Sequence, residues 1–341
     1  MKKVILIAII AISTVASTVF AADPPKAGQQ PIADFQAACP ATKLTLATGQ
    51  AEGTYAKVMG DVTKVCPTTC NYATQGGLDN VIGLAHNDFD LGLVQVDTLE
   101  SMGAREQHVK DLRSLLSLYP AALHILTVKS GAVIPNGNWL WDKNTTKTFA
   151  TIGALKGQRI AVWSSAEVTA RNVNAALSLG MDLVSVSTVA EGLDKLNKHN
   201  VVAFMGMGAA PLGWVDKEEN RGKYTLVLMT QQDIDNVSKT FSRSGYTPVT
   251  FGTKFLDQQG VLTIGSVVEL VSQDFQGSQS SLVQAYRSCI VNNFANIKET
   301  RGAQPVWKLT NANAIQQTRW TAYKDPDAAR TTTSASPSAK K

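Results

Sequence analysis

From Leu44 onward, apolar and polar positions follow two alternating rhythms. Leu44-Thr45-Leu46-Ala47-Thr48 reads as a short buried strand. Behind it Tyr55, Val58, Met59, Val62 and Val65 recur at the i, i+3, i+4, i+7 spacing of one apolar helix stripe. A second strand is expected near residues 71–74. Then comes a helix carrying Leu78, Val81, Ile82 and Ala85, and a third strand at Leu91–Gln95.

The same order returns later in the chain. Arg159–Trp163 reads as a strand, residues 166–179 as a helix stopped by Gly180, and residues 183–187 as a second strand. A helix with Val189, Leu193 and Leu196 leads to an apolar strand at residues 201–205. Strand starts lie roughly 18–26 residues apart in both copies, the scale of βαβ crossovers. Two such units imply an α/β chain of two lobes, each a mostly parallel sheet flanked by helices. Residues 123–128 and 263–271 read as further strands, followed by a helix near residues 280–297 and a segment at residues 306–309. The chain is therefore expected to leave lobe I (39–130), build lobe II (131–258) and return to lobe I (259–324), giving two connections and a natural hinge.

The ends carry other signals. Lys2 and Lys3, an apolar run of about 12 residues and small residues before Ala21 form the pattern of a secretory signal over residues 1–21. The run is shorter than the roughly 20 residues a spanning helix needs. A soluble, periplasmic mature protein is expected. Residues 22–38 are polar and proline-bearing and read as a flexible leader. Residues 325–341, rich in Ser, Thr, Ala and Lys, read as a disordered tail.

Composition narrows the function. The formal charge of +5 includes Lys2 and Lys3, and no basic stripe suits nucleic acid. No later segment is apolar enough to span a membrane, which argues against a permease or channel. The four cysteines, Cys39, Cys66, Cys70 and Cys289, suggest bridges in an exported chain. A short Cys66–Cys70 bridge is geometrically possible, and it would leave Cys39 and Cys289 to each other. A metal site lacks a second Cys or His pair at ligand spacing, and no cofactor motif is present.

In open parallel sheets ligands sit beyond the C-terminal strand ends, where helix N-termini point free N–H groups outward. Polar, glycine-bearing loops occupy those positions here: Thr48-Gly49-Gln50-Ala51-Glu52-Gly53-Thr54-Tyr55, Thr74-Gln75-Gly76-Gly77-Leu78-Asp79-Asn80 and Gln95-Val96-Asp97.

The run 47–55 resembles the first signature of the TAXI family, the periplasmic solute receptors of certain TRAP transporters. Its Thr-Gly loop leads to a Gly-Thr-Tyr that opens a helix. Residues 74–80 resemble the family's second loop, and residues 90–97 its strand ending in Gln and Asp. Leu118-Tyr119-Pro120 with Leu123-His124 resembles the stretch before the crossing strand. Leu155-Lys156-Gly157-Gln158-Arg159-Ile160-Ala161-Val162 resembles the segment opening the second lobe.

The resemblance spans most of residues 43–310. It implies a periplasmic-binding-protein-like clamshell of type II with two interlobe crossovers. It further implies a small organic solute, such as a dicarboxylate or amino acid, and delivery to membrane permease subunits by a monomeric receptor. Carried over by position, the ligand contacts are Gly49, Gln50, Gly53, Thr54, Tyr55, Gln75, Gly76, Asn80, Gln95, Ser164, Ser165 and Thr169.

The chain departs from the pattern in three places. Trp163-Ser164-Ser165-Ala166 lacks the glycines of the family's second-lobe loop. Glu52 stands where a small residue is usual and would repel a carboxylate. Met205-Gly206-Met207-Gly208, ahead of Trp214, is apolar for a strand-end loop. A wall that included Trp163 and Met207 would suit a bulkier or aromatic ligand.

Catalysis finds little support. The histidines are His86, His108, His124 and His199, and His124 near the cleft reads as structural. There is no Gly-x-Ser-x-Gly elbow, no His-Glu-x-x-His pair and no phosphate loop. A sensor or protein-interaction subunit on the same fold is the alternative reading. A periplasmic hydrolase would require a cleft carboxylate such as Glu52.

Overall fold

The structure, a computed structural model, describes residues 30–134 and 145–324. The signal segment 1–21, the leader up to residue 29 and the tail 325–341 lie outside the described residues.

Twelve strands are described: β1 Leu44–Ala47, β2 Thr69–Tyr72, β3 Leu91–Gln95, β4 Arg113–Val128, β5 Ala132–Ile134, β6 Thr145–Lys147, β7 Arg159–Trp163, β8 Asp182–Val186, β9 Ala203–Gly208, β10 Tyr224–Leu226, β11 Tyr246–Phe251 and β12 Val261–Ser272. Strands β2, β1 and β3 pair in parallel in the first lobe, and β8, β7 and β9 pair in parallel in the second. Each step within these groups runs through a helix. In the first lobe these are Thr54–Val65 and Gly77–Ala85, and in the second Ala166–Ala176 and Val189–Asn197.

Two long strands join the lobes. β4 has 16 residues and β12 has 12, two to three times an ordinary strand. Their halves serve different lobes. Residues 113–122 of β4 lie antiparallel to β12, residues 122–126 pair with β9, and residues 126–128 pair with β10. β12 pairs with β11 through residues 261–266 and with β3 through residues 268–272.

This corrects the expectation of two separate sheets. The ladder runs unbroken as β2-β1-β3-β12-β4-β9-β7-β8, because strands of this length cross the hinge and keep both edges paired. Each lobe's parallel strands are therefore bordered by antiparallel ones. Register shifts at Val268/Glu269 and Leu270/Val271 interrupt the crossing ladder, and such irregularities bend a strand.

The main core runs through both lobes. It gathers Leu46, Tyr55, Val58, Met59 and Val62 from the first and Ile160, Val162, Ala166, Ala170, Val173, Met205 and Met207 from the second. A second core on the opposite face of lobe II holds Leu126, Ala161, Phe204, Val215 and Leu226, with Trp163 and Trp214 packed against it. Side chains alternate faces along a strand, so Ile160 and Val162 join one core while Ala161 and Trp163 join the other.

The bridges also differ from expectation. Cys39 is bonded to Cys70, and Cys66 to Cys289. Cys66 ends the helix Thr54–Val65 fully buried and packs toward the helix Gly277–Asn292, which carries Cys289. Cys70 lies within β2, half-buried. A short Cys66–Cys70 bridge is not formed, because Cys66 packs in the main core beside Cys289 while Cys70, half-buried in β2, meets Cys39. The described part of the leader is ordered too. Ile32–Ala38 is helical, and Phe35 stands 4.9 Å from Tyr72 and 6.5 Å from Phe89 between ring centroids. Those ring contacts, with the adjacent Cys39 bridge, hold a segment whose polar composition reads as loose.

Candidate functional site

Three helices begin at the seam between the lobes: Thr54–Val65, Gly77–Ala85 and Ala166–Ala176. Their N-caps are Gly53, Gly76 and Ser165, and none makes a side-chain capping bond. Two helices elsewhere are capped by side chains, while those starting at Ile32, Val96, Gln107, Gly277 and Phe294 are not. Thr188 accepts from Glu191 N–H, and Thr230 forms a reciprocal capping box with Asp233. An uncapped first turn keeps donors and partial positive charge available to something outside the helix.

The three termini are close. Ser164 Oγ donates to the Gln75 carbonyl at 3.0 Å. A Cβ placed on Gly76 would lie 2.8 Å from Ser164 Oγ, and one on Gly77 would lie 3.5 Å from Ser165 Cβ and 3.6 Å from Tyr55 Oη. Gly76 has φ 127°, a conformation that favours glycine. Ala209 N–H reaches Thr54 Oγ1 at 3.4 Å, so the loop after β9 also touches lobe I. Gln50 Nε2 donates to Gln75 Oε1 at 3.1 Å.

Of the positions expected from sequence, Gly49, Gln50, Gly53, Thr54, Tyr55, Gln75, Gly76, Gln95, Ser164, Ser165 and Thr169 gather here. Three do not serve as expected. Asn80 is fully buried and spent on structure. Its amide donates to the Thr48 and Leu93 carbonyls, and its oxygen accepts from Thr74 Oγ1. It ties strand ends together. Trp163 points to the second core, where its ring meets Trp214 edge-on at 6.5 Å, and Met207 is buried in the main core. Trp214 stacks on Phe204 at 5.0 Å and covers Gly206. The aromatic wall is therefore internal to lobe II. Glu52 leaves the seam as well, with its side chain 94% exposed and paired with Lys57 at 3.6 Å.

The sequence reading missed the most strongly bonded group. Asp97 follows β3 and is fully buried. Its carboxylate accepts from Thr98 N–H at 2.8 Å, Ser266 Oγ at 3.0 Å, Thr169 Oγ1 at 2.5 Å and Tyr246 Oη at 3.0 Å. Burial raises its pKa and the four hydrogen bonds pull it back. Neither lysine nor arginine is among the residues gathered at the seam. Two polar atoms at the floor, Gln95 Oε1 and Tyr119 Oη, are buried without a hydrogen-bond partner. Burial pushes the Tyr55 and Tyr119 hydroxyls well above their ordinary range, so both remain protonated donors.

His124 is part of the framework. It lies buried in β4, with Nδ1 3.0 Å from the Ala122 carbonyl, and Nε2 accepts from Leu212 N–H at 3.1 Å. The second contact fixes the proton on Nδ1. Desolvation lowers its pKa to about 4. Among the described residues there is no cluster of side chains arranged to hold a metal ion, and no helix is long and apolar enough to cross a membrane.

No protein-family model matches the chain, and no curated protein matches it. Solved structures do. Tv2483 bound to L-arginine aligns with a TM-score of 0.50 at 12% identity, over 83% of this chain and 100% of that one. An arginine transport system periplasmic binding protein from Legionella pneumophila gives 0.48 at 13% identity, covering 76% and 97%. The GluR0 ligand-binding core with L-glutamate gives 0.47 at 12%, covering 77% and 99%. At 12% identity the likeness to Tv2483 shows the fold alone: two α/β lobes joined by crossing strands.

Proposed function

We propose that this protein is a solute receptor that closes its two lobes on a small organic molecule and catalyses nothing. The observation that carries the reading is the meeting of three uncapped helix N-termini, from both lobes, at one seam. Such termini favour a carboxylate without needing a lysine or arginine. Gln95 Oε1, unpartnered at the floor, supplies an acceptor for an ammonium or hydroxyl group. An amino-acid-like or dicarboxylate solute fits that pair of features. A bulky aromatic solute is not favoured, since Trp163, Trp214 and Met207 are spent on packing.

The lobe division is 39–130 with 259–324 against 131–258. The receptor works in the periplasm as a monomer after loss of residues 1–21, and it passes its cargo to a TRAP-type permease. The resemblance of residues 47–55, 74–80 and 155–162 to TAXI receptors supports that destination. A sensor on the same fold is the second reading, favoured by the direct hydrogen bonds between lobes, since a clamshell that grips itself can report closure to a partner.

The test is thermal. Protein stripped of bound solute by unfolding and refolding is melted against amino acids, dicarboxylates and aromatic acids. A ligand at about 100 times its Kd stabilises by about 2.7 kcal/mol, which moves the melting temperature by several degrees. Absence of a shift with every compound, on protein shown to be folded, overturns the receptor reading. A permease gene beside this one supports transport, and a histidine-kinase gene supports sensing.

A further inference from the structure

The carboxylate of Asp97 belongs to lobe I, yet two of its four donors belong to lobe II. Thr169 lies in the helix Ala166–Ala176, one turn beyond its start, and Tyr246 opens β11. Tyr246 Oη in turn accepts from Asn172 Nδ2 at 2.8 Å, on the same helix as Thr169. The other two donors, Thr98 N–H and Ser266 Oγ, come from lobe I and the crossing strand β12. The helix Val96–Gly103, which begins beside Asp97, packs against the helix Ala166–Ala176.

A carboxylate buried without a cation is costly unless its oxygens are fully hydrogen-bonded. Asp97 keeps Thr169 as a donor only while the lobes stay together. Separation would take Thr169 from Asp97 and Asn172 from Tyr246, whereas Tyr246 itself pairs in register with Ser266 on β12 at the junction. The Thr169 and Asn172 bonds pass directly across at 2.5 and 2.8 Å, so no solute atom lies between these partners.

We infer that Asp97, Thr169 and Tyr246 form an interlobe latch that holds the closed form through the protein's own hydrogen bonds. The latch biases closure before any solute contact is counted. Solute affinity then depends on how often the latch releases, because a binding-competent open form that is rarely populated weakens apparent affinity in proportion. The inference rests on the clamshell arrangement and not on the identity of the solute.

The test compares the wild type with Thr169→Val, Tyr246→Phe and the double variant, all stripped of solute. Each change deletes one hydroxyl while keeping the side chain's shape. Small-angle scattering and hydrogen exchange report closure, and circular dichroism checks the fold. Exchange is read at residues 74–80, which lie at the seam. The expected result is a larger radius of gyration for the double variant and exchange at residues 74–80 faster by about tenfold or more, the scale for losing hydrogen bonds to a charged group. An unchanged radius and unchanged exchange in a folded double variant overturn the latch. If the double variant does not fold, the single variants decide: each should speed exchange at residues 74–80, and no change in either is fatal. Solute-induced stabilisation, measured separately, reports on the receptor reading whichever way the latch experiment falls.

Discussion

Ser164 Oγ donates to the Gln75 carbonyl at 3.0 Å, and the two residues belong to different lobes. The bond is possible because Gly76, next to Gln75, has no side chain in the way. Its missing Cβ would stand 2.8 Å from the same hydroxyl. A glycine conformation and a close approach coincide at one residue.

Gly76→Ala should therefore hold the lobes apart. It meets both the strain of φ 127° and the contact with Ser164. A stability loss of about 1–3 kcal/mol is expected, together with a larger fall in solute affinity. Calorimetry of folding and of binding separates the two. Equal stability and equal affinity would mean that the lobes do not close at Gly76.

Gln95 is expected to behave differently. Its buried Oε1 has no partner, so the fold gains little from that oxygen. Gln95→Leu should leave the melting temperature unchanged or slightly higher, because replacing an unsatisfied polar group by an apolar one of similar shape is close to neutral. Binding of a solute that donates a hydrogen bond should fall about tenfold. A large loss of stability would show that Gln95 is structural.

His124 sets an acid limit on stability. Buried and neutral, it has a folded pKa of about 4 against an ordinary 6.5. The unfolded chain therefore binds the proton first as pH falls. The contribution is whole above pH 6.5 and is lost progressively down to about pH 4, reaching about 3 kcal/mol. Denaturant titrations across that range check it. His124→Gln, though less stable throughout, should show a shallower slope between those pH values.

The two bridges should differ in weight. Cys66–Cys289 spans 223 residues and Cys39–Cys70 spans 31. Loop-closure entropy expects about 5.4 kcal/mol from the longer and about 3.7 kcal/mol from the shorter. Paired serine variants at each bridge test the ranking. Peptide mapping without reductant should recover Cys66 with Cys289, and recovery of Cys66 with Cys70 would contradict the fold described.

The parallel strands of both lobes are legible in the sequence, because β1, β3 and β7 are short apolar runs next to striped helices. The first ten residues of β4 are not. Ser114, Ser117 and Pro120 break the apolar pattern there, and pairing with β12, more than a hundred residues away, makes the segment a strand. The continuous sheet follows from that same long-range pairing. Period-two alternation assigns Trp163 to the face of Ala161, but the residues alone do not say which face looks into the seam. Asn80 is polar in the right loop, yet its partners Thr48 and Leu93 are known only from the fold. Asp97 stands visibly at a strand end. Its partners Thr169 and Tyr246 lie 72 and 149 residues on, with no local signal joining them.

Thr54 offers the sharpest probe of solute capture. It is half-buried at the first turn of its helix, and Ala209 of the other lobe reaches its hydroxyl at 3.4 Å. Thr54→Trp places a wedge between the lobes. Isothermal titration of the solute that stabilises the wild type, repeated on the folded variant, should show affinity weakened at least tenfold. Undiminished binding would place the solute somewhere other than between the lobes.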